Sequence, residues 1–393
     1  MKKTAIVLFS IVALAVLLTG CDQLKEWQGN AAIAGIAKYF DKAAGQYGGI
    51  RVSLISATIV VKPNQIPLDV APLTITTGND GAFDFDGIAP GTYIVVAEDP
   101  QGEYQPANTV ITVAQDQSVE SEDLVLTKAV KHVVIFRDSG TEWENAGVPA
   151  TVIGDILEAE VGMTEGTGEN QYEYKSSASI PTYTPTLGDL VIIGGDQTST
   201  FYNTYTTYKA TFDNFVDDGG SVFWVASDNG WANPVGNFTS TLPGGVTWRD
   251  AFEGTNDIIY FEHPITKNFP EQIQGNYASH GGFNNLDTLV GNGSLTNLMT
   301  YVVETSGGLP TYVEYRAGLG KVLATTAPLE WYVVNGSTAV PEGFVTNYKD
   351  LFKLILTRSI RYMMNLEVSE DLPISADALA LGSKAFKAGR ASH

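Results

Sequence analysis

The chain has 393 residues, of which 44 are acidic and 23 are basic, and its formal net charge at pH 7 is −21. This balance argues against nucleic acid or an anionic membrane surface as a partner, because both require a basic footprint. Hydrophobic residues make up 44% of the chain, which indicates a globular protein and not a disordered one. The length suits about two or three domains. The single cysteine excludes an internal disulfide, so stability must come from packed cores.

Residues 1–20 have the pattern of an export signal. Two lysines precede an apolar run from Ala5 to Leu18, which is too short for a membrane-spanning helix. The run ends in Leu-Thr-Gly-Cys, which resembles the lipobox of bacterial lipoproteins. The resemblance implies that Cys21 carries lipid and holds the protein on a membrane, on its periplasmic or cell-surface side. Asp22 resembles a retention signal for the inner membrane, but the choice between inner and outer membrane stays open.

Residues 21–46 are expected to form a tether that ends in a short helix. Apolar side chains recur at helical spacing in this segment, at Trp27, Ile33, Ile36, Tyr39 and Phe40. The alternative is that part of this segment forms the first strand of the following domain.

Residues 47–128 are expected to form a small antiparallel β-sandwich. Apolar residues alternate there with polar ones in short runs, between turn signals at Asn79-Asp80-Gly81 and Ala89-Pro90-Gly91. The run from Thr77 to Tyr93 closely resembles the carboxypeptidase regulatory-like, or transthyretin-like, domain, because it reads T-G-N-D-G-A-F-D-F-D-G-I-A-P-G-T-Y. The resemblance implies a non-catalytic spacer with a carbohydrate-binding-like fold. Three acidic residues are interpreted as solvated strand residues, with calcium binding as the alternative: Asp80, Asp84 and Asp86.

Residues 129–366 alternate strands with helices, which predicts an α/β domain with a parallel sheet and right-handed crossovers. The predicted strands are His132–Phe136, Asp189–Ile193, Ser221–Ala226 and Lys321–Thr325. The predicted helices are Val148–Val161, Tyr205–Asp218 and Tyr348–Met364. Residues 367–393 are expected to form a C-terminal tail.

Four short motifs in this half occur in the order seen in the class I glutamine amidotransferase-like family. They are Asp189–Asp196, Phe215–Val222, His263–Thr266 and Gly318–Val322. The resemblance implies a flavodoxin-like fold. In enzymes of that family a nucleophilic cysteine follows the strand that here ends at Ala226, and a histidine and a glutamate follow the late strand.

Ser227 stands where that family has its cysteine, and no histidine follows the late strand, where Glu330 alone matches the acid. A serine without an adjacent base is a poor nucleophile, so the resemblance implies a catalytically vacant domain. The alternative is an envelope hydrolase that acts on cell-wall or carbohydrate substrates through Ser227, with His263 or His280 as its base.

The ligand-binding candidates follow predicted strands, where ligands bind in such folds. They are Asp196, Ser227, Asp228, Asn229 and Trp231. Aromatic residues between Trp231 and Gly308 either cap the sheet or stack on a sugar ring. The histidines have no metal-ligand spacing, so neither a metal nor a cofactor is expected. The sequence thus predicts a lipid-anchored binding or assembly protein of the cell envelope, with a protein or glycan partner and no nucleic acid.

Overall fold

The computed structural model describes residues 29–56, 72–227, 240–259, 263–291, 296–304, 308–344, 346–366 and 368. The chain divides between Thr127 and Lys128 into two compact units. The proposed signal peptide, Cys21 and nearly all of the predicted C-terminal tail lie outside the described residues. Within the described part of the chain, no helix has both the length and the apolar character needed to cross a membrane.

The first unit is a β-sandwich of two sheets. Its strands are β1 (Ala31–Tyr39), β2 (Arg51–Ser56), β3 (Leu73–Thr76), β4 (Ala82–Ile88), β5 (Gly91–Glu98), β6 (Ala107–Val113), β7 (Ser118–Glu120) and β8 (Leu124–Leu126). One sheet has the order β4-β1-β7, with β8 also paired to β1, and the other has the order β3-β2-β5-β6. Strand β1 pairs antiparallel with β4 but parallel with β7 and β8.

Alternation of apolar and acidic residues builds the core of this sandwich. Phe83 and Phe85 of β4 are buried, whereas Asp84 between them is exposed. Tyr93 of β5 is also buried, and its hydroxyl donates to the carbonyl oxygen of Ala89 at 2.6 Å. This hydrogen bond stabilises the turn between β4 and β5, where the chain passes from one sheet to the other.

The helix predicted within residues 21–46 is wrong, because the chain from Ala31 to Tyr39 is strand β1. The alternative, a first strand of the sandwich, is what the structure shows. Apolar residues in this segment fit both periods, and packing against β4 decides between them. At Gly35 the ring of Phe83 comes so close that an added Cβ would lie 2.6 Å from its Cζ.

The second unit contains one mixed sheet of ten strands. They are β9 (His132–Phe136), β10 (Thr164–Glu165), β11 (Gln171–Lys175), β12 (Asp189–Ile193), β13 (Ser221–Val225), β14 (Trp248–Ile258), β15 (Gln272–Phe283), β16 (Thr296–Glu304), β17 (Pro310–Ala317) and β18 (Gly320–Thr325). Their order is β10-β11-β9-β12-β13-β18-β17-β16-β14-β15. Six neighbouring strands, β10-β11-β9-β12-β13-β18, pair in parallel, and the remaining pairs are antiparallel.

The expectation of a parallel sheet is therefore wrong for four of the ten strands. Strands β14 to β17 add an antiparallel extension, and β17 returns to β18 through a tight turn at Gly318 and Leu319. Gly318 has a φ of +56°, and an added Cβ would lie 2.5 Å from the Cα of Asp217, so the turn requires glycine.

Helices pack against both faces of the parallel strands. They are α1 (Glu142–Asn145), α2 (Val152–Ile156), α3 (Ser199–Asp217), α4 (Leu286–Gly291), α5 (Leu329–Asn335) and α6 (Tyr348–Met363). Buried residues of α1, α2, α5 and α6 share one core, and those of α3 share the other. The helix predicted over Val148–Val161 begins only at Val152 and ends in a π-helical turn, and α3 begins six residues before the predicted Tyr205.

Among the parallel strands, the five longer ones have the spatial order 2-1-3-4-5 when numbered along the chain as β9, β11, β12, β13 and β18. The winding therefore reverses between β9 and β12. In doubly wound sheets, ligands bind at such a reversal, outside the carboxyl ends of the strands. The candidate site is built at this edge.

Candidate functional site

Strands β9 and β12 end side by side, because Phe136 pairs with Ile193. Arg137 and Asp138 follow the first strand, and residues 194–197 follow the second. The crevice between the two strand ends is where a ligand would enter an open doubly wound sheet.

The side chain of Gln197 fills this crevice. Its Nε2 donates to the carbonyl oxygens of Phe136 and Gly194, at 2.8 Å in each case. Its Oε1 accepts the backbone N–H of Asp138 at 3.0 Å. Gln197 is only 1% exposed, so its amide is committed to the ends of the two strands and not to solvent.

The two charged residues after β9 are buried, and both form hydrogen bonds with neighbouring loops at this edge. The carboxylate of Asp138 accepts the backbone N–H of Ser177 at 2.7 Å, its hydroxyl at 2.9 Å and the hydroxyl of Thr198. The guanidinium of Arg137 donates to the carbonyl oxygen of Gly195. These groups stabilise the loops at this edge.

Asp196, a predicted ligand-binding residue, connects the loop after β12 to the end of β13 and to helix α1. Its backbone N–H donates to the carbonyl oxygen of Ser227 at 2.7 Å, and its carboxylate accepts the N–H of Trp143 at 2.5 Å. Its φ of +55° lies in the left-handed region, which aspartate tolerates better than most residues. Gly195 must remain glycine, because an added Cβ would lie 2.7 Å from the carbonyl oxygen of Ser227.

Ser227 and Glu330 both lie next to Gly195. Ser227 is 1% exposed, and its hydroxyl has no hydrogen-bond partner within the described residues. Glu330 accepts the N–H of Gly195 at 2.8 Å through Oε1, whereas its Oε2 has no partner in that part of the chain. Burial raises the pKa of the Glu330 carboxyl, and the charge of Arg137 opposes this shift.

His280 is buried in an aromatic cluster. Its ring lies 5.4 Å from that of Phe252, 6.2 Å from that of Tyr277 and 6.5 Å from that of Trp143. Its backbone N–H donates to the carbonyl oxygen of Thr326 at 2.9 Å. The structure shows no hydrogen bond between this imidazole and Ser227.

His263 is held by a different set of residues. Its Nδ1 accepts the N–H of Ile265 at 3.2 Å, and its Nε2 lies 3.7 Å from Oε2 of Glu314. Its ring packs edge-on against Tyr362 at 4.7 Å. Burial lowers the pKa of His263, and Glu314 opposes that shift. Because the hydroxyl of Ser227 has no partner within the described residues, this second candidate base is not hydrogen-bonded to it either.

Other predicted site residues are exposed or lie outside the described part. Asp80, Asp84 and Asp86 are exposed, and no group of three or more His, Cys, Asp or Glu side chains among the described residues could hold a metal ion. Asp228, Asn229 and Trp231 lie outside the described residues. Of the predicted aromatic residues, Phe283 is in the core, whereas three are half-buried: Trp248, Phe252 and Tyr277.

The sequence alone did not predict that Gln197, Arg137 and Asp138 belong to this edge. The available signal was their position, because all three are polar residues that closely follow a buried strand. Trp143 gave no such signal, since it lies on a short helix whose contacts depend on the fold.

No family model matches the chain. An uncharacterized protein of Clostridium acetobutylicum is 26% identical over 211 residues, which are 54% of this chain and 19% of that protein. The chain thus spans about a fifth of the length of the curated relative it matches.

Similar solved structures include a cytoplasmic protein of Salmonella typhimurium, with 13% identity, a TM-score of 0.33, and coverage of 58% of this chain and 98% of that one. Another is a protein of Pseudomonas aeruginosa provisionally described as carbohydrate-binding, with 17% identity, a TM-score of 0.18, and coverage of 26% and 94%. A third is an exo-β-1,4-mannosidase of an Opitutaceae bacterium, with 14% identity, a TM-score of 0.29, and coverage of 51% and 32%. Similarity at this level assigns neither a family nor a function to the chain.

Proposed function

We propose that this protein is a lipid-anchored binding or assembly protein of the cell envelope that works outside the cytoplasm. Its second unit is an amidotransferase-like domain of flavodoxin-like fold that has no catalytic activity. The spatial order 2-1-3-4-5 of its parallel strands supports this fold, since flavodoxin-like sheets share that order. The lipobox-like sequence that ends at Cys21 supports the anchor.

The observation that carries the proposal is the position of Gln197. A reaction at this edge would need space for a substrate between the strand ends, and the amide of Gln197 occupies that space with three hydrogen bonds. A general base must also lie within about 2.6–3.2 Å of the proton that it takes. The hydroxyl of Ser227 is buried and meets no such base within the described residues.

The β-sandwich is proposed to be a spacer close to the membrane. It has a hydrophobic core of its own. Because β1 begins at Ala31, only the short segment between Cys21 and Ala31 separates the lipid from the sandwich. A chain extends by at most about 3.6 Å per residue, so this segment holds the start of the sandwich within roughly 35 Å of the lipidated residue.

A fluorophosphonate probe tests the absence of catalysis. The purified protein should show no adduct on Ser227 by peptide mass spectrometry, under conditions in which a known serine hydrolase is fully labelled. Ser227→Ala should also leave the unfolding midpoint nearly unchanged, because it removes a hydroxyl that leaves no described partner unpaired. An adduct on Ser227 that disappears in the Ser227→Ala variant would establish the hydrolase alternative and overturn the proposal.

A further inference from the structure

An open cleft of about 800 Å³ lies against β9, β11 and β12, beside the chain that crosses from β11 to β12. That crossover contains only a short 3-10 helix, Ser177–Thr182. The next crossover, from β12 to β13, contains the 19-residue helix α3. Parallel sheets are ordinarily covered on both faces by their crossover helices, so the missing helix leaves this part of the face open.

The sequence of β11 fits an open face. Tyr172 is buried in the core that contains α2 and α6. Glu173 and Lys175 belong to the opposite face, and their side chains remain 22% and 23% exposed. A parallel strand buried on both faces reads as a continuous apolar run. The alternation in β11 therefore indicates a face that stays in contact with solvent.

Most of the charges in the cleft are already paired. Lys175 Nζ lies 2.7 Å from Oε2 of Glu173. Asp189 lies 3.0 Å from Nδ1 of His132 and accepts the backbone N–H and the hydroxyl of Thr186 at 2.9 and 2.8 Å. Glu169 adds a further carboxylate, so the lining has no excess of positive charge. Such a lining disfavours an anionic ligand.

Hydroxyl groups supply most of the other polar atoms of the lining. Six lining residues carry one: Thr167, Ser179, Thr182, Tyr183, Thr184 and Thr186. The hydroxyls of Thr182 and Thr186 already donate to Ser179 and Asp189 and can still accept. The ring of Tyr183 lines the cleft and packs on Phe136 and Phe212 of the core. Its hydroxyl is buried and has no hydrogen-bond partner in the described part of the chain, so the accessible hydroxyls of the lining are those of serine and threonine.

We propose that this cleft binds a neutral saccharide. Its volume lies within the range of small-molecule sites, about 300–1,000 Å³. Its donors and acceptors are hydroxyls and paired ions, which complement the many hydroxyl groups of a sugar ring. The inference rests on the proposed binding role, for which it names a ligand class, but it does not depend on the state of Ser227.

Saturation-transfer NMR with the full chain tests the inference. The probes are glucose, maltose, cellobiose and N,N′-diacetylchitobiose, with glucose 6-phosphate as an anionic comparison. At least one neutral sugar should show saturation transfer, and glucose 6-phosphate should bind no more tightly than glucose. Absence of transfer to every neutral sugar, or tighter binding of the phosphate, would overturn the inference.

Two tryptophan substitutions locate the site. Thr184→Trp places a large side chain in the cleft, and Thr207→Trp places the same side chain at an exposed position of α3 outside it. The first should abolish saturation transfer and the second should preserve it. Unchanged binding in Thr184→Trp would exclude the cleft, whereas a fluorophosphonate adduct on Ser227 would bear on catalysis alone.

Discussion

Gln197→Ala should destabilise the second unit by about 3–5 kcal/mol. The substitution leaves the carbonyl oxygens of Phe136 and Gly194 and the N–H of Asp138 without their partner. Each buried polar group without a partner costs about 1–3 kcal/mol, and water that enters the vacated space recovers part of this cost. Since domains are stable by only about 5–15 kcal/mol, the loss should be large.

Urea unfolding followed by tryptophan fluorescence measures this loss. Five of the six tryptophans lie in the second unit, so the signal reports that unit: Trp143, Trp224, Trp231, Trp248 and Trp331. With a slope of about 2 kcal/mol per molar urea, the midpoint should fall by about 1.5–2.5 M.

Gln272→Ala is the matched control. Gln272 is exposed, and its amide donates to Asp257 at the protein surface. Its loss should change stability by no more than about 0.5 kcal/mol. If Gln197→Ala shifts the midpoint as little as Gln272→Ala does, then the amide of Gln197 does not hold the two strand ends together.

Three further predictions follow from the anchor, the division of the chain and a buried histidine. Cys21→Ala should abolish incorporation of labelled palmitate and leave unprocessed precursor, whereas normal processing would contradict the lipid anchor. Residues 29–127 and 128–366 should each unfold cooperatively when expressed alone, but 47–127, which lacks β1, should show no cooperative transition in calorimetry. Burial lowers the pKa of His263, so the folded state favours the neutral imidazole. The stability that depends on this neutral form is present above the pKa of the unfolded state, about 6.5, and is lost as the pH falls towards the lower pKa of the folded state. Between pH 7 and pH 5 the urea midpoint should therefore fall less for His263→Asn than for the wild type. An equal fall in the two proteins would show that the pKa of His263 is not lowered by folding.

The central parallel strands could be predicted from the sequence because each is a continuous apolar run. Strands β9 and β12 have the predicted ends, and β13 and β18 differ from the prediction by one residue. The antiparallel strands β14 to β16 could not be predicted, because glycine, asparagine and threonine interrupt their alternation. Segment 31–39 fits both a helical and a strand period, so only its packing on Phe83 and Phe85 assigns it.

The candidate site was predictable only where a residue follows a recognisable strand. Asp196 and Ser227 each follow a recognisable strand, and the structure joins them through a backbone hydrogen bond. The role of Gln197 depends on Phe136 and Asp138, which lie about sixty positions earlier in the chain. Such a contact is not visible in a local pattern. The cleft proposed to bind a saccharide could not be predicted either, because it is open only where the crossover from β11 to β12 has no α-helix to cover the sheet.

Amide hydrogen exchange at Asp138 and Gly195 tests most directly whether the crevice between β9 and β12 is closed. The first amide donates to Oε1 of Gln197 at 3.0 Å, and the second donates to Oε1 of Glu330 at 2.8 Å. Because both acceptors are buried, both amides should exchange as slowly as the central strands do, and Gln197→Ala should release Asp138 before Gly195. Exchange of either amide in the wild type at the rate of an open loop would show that solvent enters the crevice, and would contradict a sheet edge filled by the protein's own side chains.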